Sequence, residues 1–93
     1  MDLFDLGTHH SYTNFFRAVA RNVQRKRNIE KKTVEDLAYD ALGHNSTSFY
    51  NSAENLTHGK HFNLKHLFLI AKYYGCDIRE FFTDGGSIDA SIK

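Results

Sequence analysis

The sequence predicts an all-α domain, and three observations lead there. Proline is absent from all 93 residues, so no helix interior is barred. No stretch alternates β-branched residues for long enough to make a convincing strand. Apolar residues instead recur three and four positions apart between capping residues, which divides the chain into five short helices. The predicted organisation is an N-terminal arm (1–12), a compact helical domain (13–82) and a frayed tail (83–93).

The arm, MDLFDLGTHHSY, places Leu3, Phe4 and Leu6 ahead of a glycine and two histidines, a pattern for apolar residues that dock elsewhere, for example on a second subunit. The first helix follows, with Thr13 or Asn14 as cap and Phe16, Val19, Ala20 and Val23 on one face. It fades near Asn28. In the second helix Thr33 caps and Asp36 sits in capping-box position. Leu37, Ala38, Ala41 and Leu42 are its buried stripe, and Gly43 supplies a left-handed stop. Asn45 or Ser46 caps a third helix, 46–55, which Phe49, Tyr50 and Ala53 hold to the core. LTHGKHF reads as a loop turning at Gly59. Asn63 caps the fourth helix, whose apolar face is Leu64, Leu67, Phe68, Ile70, Ala71 and Tyr74, and Gly75 ends it. In CDIREFF, Asp77 caps and Glu80 closes a second capping box, while Ile78, Phe81 and Phe82 pack back on the core.

Composition narrows the function classes. The longest apolar cluster, LKHLFLIAKYYG, is interrupted by Lys65, His66 and Lys72, so no membrane span is expected. Asp2 and Asp5 stand where a signal peptide would carry basic residues, and Cys76 has no partner for an internal disulfide. A cytoplasmic protein is the expectation. The net charge of +1 hides an uneven distribution, because seven of the 12 Lys and Arg fall between Arg17 and Lys32, against the single acid Glu30. Such a block attracts polyanions or forms a solvated helix face.

The segment TVEDLAYDALGHNSTSFYNSAENLTHGKHFNLKHLFLIAKYYGCDIREFF resembles the helix-turn-helix domains of the lambda-repressor/Cro type. Leu37-Ala38, Glu54, Gly59, Leu67, Ile70, Ala71 and the closing YYGCDIREFF carry the resemblance, which spans residues 14–82. Three positions depart from the family pattern. Val34 replaces a phosphate-gripping Gln, Gly43 follows Ala38 by five residues instead of four, and Ala53 replaces a larger aliphatic.

The resemblance implies a DNA-binding transcriptional regulator whose helix 33–42 supports a recognition helix, 46–55, in the major groove. Ser46, Thr47, Ser48, Asn51 and Ser52 are then the base-reading candidates, being short side chains that both donate and accept. Lys31, Lys32, Thr33, Asn55, His58 and Lys60 are the candidates for backbone phosphates. The third helix carries no arginine to grip guanine, which favours AT-rich sequence and shape. The plainer readings are caps at Asn45 and Ser46, a core aromatic at Tyr50, local pairing at Glu54 and a solvated helix end at Arg25-Lys26-Arg27.

Six histidines raise a metal reading, but no cysteine pair or carboxylate completes a tetrahedral set with His58, His61 and His66, and no metal or other cofactor is expected. Cys76 has no base beside it and no phosphate-binding glycine loop is present, so no enzyme is expected either. The expected partner is double-stranded DNA, bound by a homodimer that uses the arm or Phe81-Phe82 as its contact. The alternative is a module of the same fold that binds a protein, as an antirepressor, antitoxin or co-regulator. Val34, the longer turn, the near-neutral net charge and the absence of arginine on the third helix favour that alternative.

Overall fold

The computed structural model describes residues 12–83, and among them every regular element is helical, with no strand. The arm residues Leu3, Phe4 and Leu6, the His9-His10 pair and the tail from 84 onward lie outside the described residues. Three α-helices, α1 (Tyr12–Ile29), α2 (Ser48–Asn55) and α3 (Leu64–Tyr74), are joined by a π-helical segment (Asp36–Ala41) and closed by a 3-10 turn (Ile78–Phe82). None of these helices is long and apolar enough to cross a membrane.

α1 starts at Tyr12, so Thr13 and Asn14 lie inside its first turn instead of capping it. Val19, Ala20 and Val23 are buried as their spacing requires, and Phe16 is half-buried. The chain leaves α1 through Lys31 at φ 57°, a left-handed conformation that glycine usually takes. The Lys32 amide then donates to the Arg27 carbonyl at 2.9 Å.

The reciprocal box at the next helix forms as expected. The Thr33 amide donates to Asp36 Oδ2 at 2.9 Å, and the Asp36 amide donates to Thr33 Oγ1 at 3.1 Å. These bonds, the Thr33 amide first, hold the Asp36 carboxyl below its ordinary pKa. Beyond the first turn the helix widens. The Leu42 amide donates to Leu37 at 3.0 Å and His44 to Ala38 at 2.9 Å, one and two residues further back than an α-helix allows. The widened spacing carries the chain from Ala38 to Gly43 within the helix. Gly43, at φ 71°, then turns the chain.

Two expected elements change character. α2 begins at Ser48 and its N-cap is Thr47, without a side-chain cap bond, so neither Asn45 nor Ser46 caps it. At the C-terminal turn the Asp77 carboxylate accepts the Arg79 amide and is gripped by the Arg79 guanidinium at 2.6 and 2.9 Å. Glu80 therefore closes no capping box. Its carboxylate faces Lys26 of α1 at 3.3 Å.

The core joins Val23 of α1, Leu37 and Ala38, Tyr50 and Ala53 of α2, Ile70 of α3 and Phe81, all fully buried. Phe62, in the segment that reads as a loop, is buried with them. The wide apolar face expected of α3 is narrower in fact. Leu67, Ile70 and Ala71 are buried, whereas Leu64 is 70% and Phe68 58% exposed. A buried polar residue fastens the ends of the fold. Asn22 Nδ2 donates to the carbonyls of Phe81 at 3.0 Å and Thr83 at 2.7 Å, holding the 3-10 turn on α1.

Candidate functional site

α2 has two unlike sides. Tyr50 and Ala53 are fully buried, while Ser48, Asn51 and Asn55 are exposed at the three-and-four spacing of one helical face. The Asn55 side chain donates through Nδ2 to the Asn51 carbonyl at 2.8 Å, closing the end of the helix. The Asn51 side chain has no hydrogen bond to another described residue, so its amide has both donor and acceptor available. Ser46 is exposed and Thr47 half-buried, both in the turn ahead of α2.

The loop after α2 adds the next candidates. His58 at φ 55° and Gly59 at φ 67° are the centre of a tight turn, closed by the Lys60 amide on Thr57 at 3.0 Å. Two successive positive φ values mark type I′ geometry. The turn places His58 Nδ1 3.2 Å from Ser52 Oγ and leaves Lys60 exposed beside α2.

A part-buried ion pair links the segment that carries the next candidates to the end of α2. Arg27 donates through Nε and Nη2 to both carboxylate oxygens of Glu54, at 3.0 and 2.8 Å, and through Nη1 to the Lys32 carbonyl at 3.2 Å. One guanidinium therefore ties the end of α2 to the segment 31–33 that opens the next helix. The side chains are 15% (Arg27) and 4% (Glu54) exposed, and the hydrogen bonds that Arg27 donates to Glu54 raise its pKa further. The Tyr50 hydroxyl is buried in the same region and has no hydrogen-bond partner among the described residues. Burial, then the Glu54 carboxylate, pushes its pKa up.

The expected phosphate contacts divide under this geometry. Lys31 is exposed and makes no ion pair with the described residues. Lys32 is half-buried, with its ammonium 5.7 Å from the centre of the Tyr73 ring, and Thr33 is engaged in its capping box. Val34, half-buried against the core, does not stand at the surface as a phosphate-binding residue would.

The basic run of α1 is structural rather than solvated. Arg25 donates to Asn22 at 2.8 Å, Lys26 lies 3.3 Å from both Glu30 and Glu80, and Arg27 holds Glu54. The sequence held one clue: Glu54 is the only acid on α2, and an acid beside a buried Ala53 needs a cation from another element.

His58, His61 and His66 face different partners. His58 meets Ser52, His61 stacks on Phe16 at 3.9 Å, and His66 closes the α3 capping box with Asn63. Among the described residues no three His, Cys, Asp or Glu side chains gather as metal ligands would. Burial, then Glu80, pushes the Cys76 thiol up, away from an activated nucleophile. The chain matches no family model, no curated protein and no solved structure.

Proposed function

We propose that the chain is a sequence-specific DNA-binding transcriptional regulator of helix-turn-helix type, acting in the cytoplasm, with α2 as the reading helix in a major groove. The observation that carries this reading is the outer face of α2, where Ser48, Asn51 and Asn55 stand exposed on a helix whose inner side is fully buried. A helix held this firmly can present small polar groups to base edges without losing its packing. Asn51 is the base reader, able to bond an adenine edge with both functions of its amide, worth about 1–3 kcal/mol of discrimination. Lys31 and Lys60 neutralise phosphates to either side, His58 stands beside Lys60 as a polar phosphate contact, and Arg27 and Glu54 act as positioning residues. Two copies on a two-fold site multiply the modest specificity of one. Phe81, fully buried, is not available as their contact.

The test is selection of bound duplexes from a random library, repeated with Asn51→Ala and Lys31→Ala. The first change relaxes the selected sequence. The second weakens all sequences alike and lowers the salt slope of log Kd by about 0.9, the share of one phosphate. No enriched duplex and a flat salt slope would remove the reading. The protein-binding alternative is favoured by one observation, the exposure of Leu64 and Phe68 on α3, an apolar pair one turn apart.

A further inference from the structure

Beside Leu64 lies an apolar groove of about 370 Å³ between the start of α1, the segment before α3 and the C-terminal turn. Phe16, Val19, Phe62, Leu64, Leu67 and Phe82 contribute its walls, and His61 and Asn63 are the polar residues on its lining. Phe68 continues the surface one turn beyond Leu64. The DNA reading makes no use of this face.

We propose that the groove is the seat of the chain's own N-terminal segment, with Leu3, Phe4 and Leu6 entering it. Eleven residues precede Tyr12, and Leu6 stands only six positions before the helix that forms one wall. Extended backbone covers about 3.3–3.6 Å per residue, so six positions span roughly 20 Å and let the segment turn back onto Phe16 and Val19. The volume suits the side chains. A cavity of about 150 Å³ accepts one benzene ring, so this groove has room for the Phe4 ring and leucine methyl groups. A short tether gives an effective concentration on the order of mM, which favours the chain's own segment over that of a second copy.

The test uses the full chain with labelled leucine methyl groups. Nuclear Overhauser contacts from the Phe4 ring to the Leu64 and Leu67 methyls are expected. They should be absent from an isotope-filtered experiment on a mixture of labelled and unlabelled chains. Phe4→Ser with Leu6→Ser should shift the Leu64 and Leu67 methyl signals while the amide signals of α2 stay in place. Methyl signals that do not respond, or absence of the Phe4 contacts, overturn the proposal. Contacts found between chains overturn it too, by assigning the groove to a second copy. DNA selection is read separately, so either result leaves the DNA reading to its own test.

Discussion

The last turns of α1 carry three consecutive cations, Arg25, Lys26 and Arg27, whereas the outer face of α2 carries none. On charge alone the first region is the one to meet a polyanion. The geometry weakens that expectation. These three cations are engaged with Asn22, with Glu30 and Glu80, and with Glu54, and two of them join α1 to the C-terminal turn and to α2. The neutral Ser and Asn side chains of α2 are the ones left facing outward. A cation that answers a buried carboxylate has little charge left for a partner, so the count of basic residues overstates the basic surface.

This contrast can be broken most sharply at its strongest link. Arg27→Ala or Glu54→Ala leaves a part-buried charge without its partner and is expected to cost about 1.5–3 kcal/mol, read as the loss of urea-unfolding free energy. Arg27→Met combined with Glu54→Leu should recover most of that loss, because no lone charge remains. A single substitution costing less than about 0.5 kcal/mol, the range of ordinary surface changes, would make the pair a surface contact after all.

A smaller effect is expected at Asn22. Asn22→Ala deprives the Phe81 and Thr83 carbonyls of their donor, a loss of about 1–3 kcal/mol. Faster amide exchange in Ile78–Phe82 than in α2 should accompany it, and equal exchange in both would show that Asn22 does not hold the turn. At Lys31 stability and binding should move in opposite senses. Lys31→Gly relieves the left-handed strain and raises stability by about 1 kcal/mol at most, while removing one phosphate contact from the proposed interface. A fall in the thermal midpoint would contradict the strain.

The smallest effect depends on pH. His66 Nδ1 accepts the Asn63 amide at 3.0 Å, so the folded chain uses the neutral imidazole. Burial first, then the nearby His44, Lys65 and His61, lowers its pKa below the ordinary 6.5. The unfolded chain therefore takes up the proton first. The contribution is complete above pH 6.5 and is lost as pH falls from there through the lower folded value. His66→Gln keeps an acceptor in the capping box and should flatten the dependence of the thermal midpoint on pH over that window. An unchanged slope would assign the dependence to other groups.

Much of the helix punctuation was legible because it is local. The Thr33–Asp36 box, the stops at Gly43 and Gly75 and the cap at Asn63 each involve residues within a turn of one another. The sequence does not locate the α2 start, because Asn45, Ser46 and Thr47 are all good caps by composition, yet none makes a side-chain cap bond there. Periodicity places Leu64 and Phe68 on the core face because it says which residues share a face, not how much of that face meets a neighbour. Phe62 escapes a sequence reading because an isolated aromatic in a polar loop has no period to reveal it.

By itself the sequence determined the helical class, the helix stops and the two-sided character of α2, all of which follow from spacing and capping within a few residues. The tertiary structure alone decided that Arg27 reaches Glu54, that Asn22 holds the Phe81 carbonyl and that the helix before Gly43 widens. The two long-range bonds join residues 27 and 59 positions apart, and the widened turn answers to the packing around it. A partner that distant in the chain is chosen by which buried group lacks one after the helices have packed, and no local pattern records that choice.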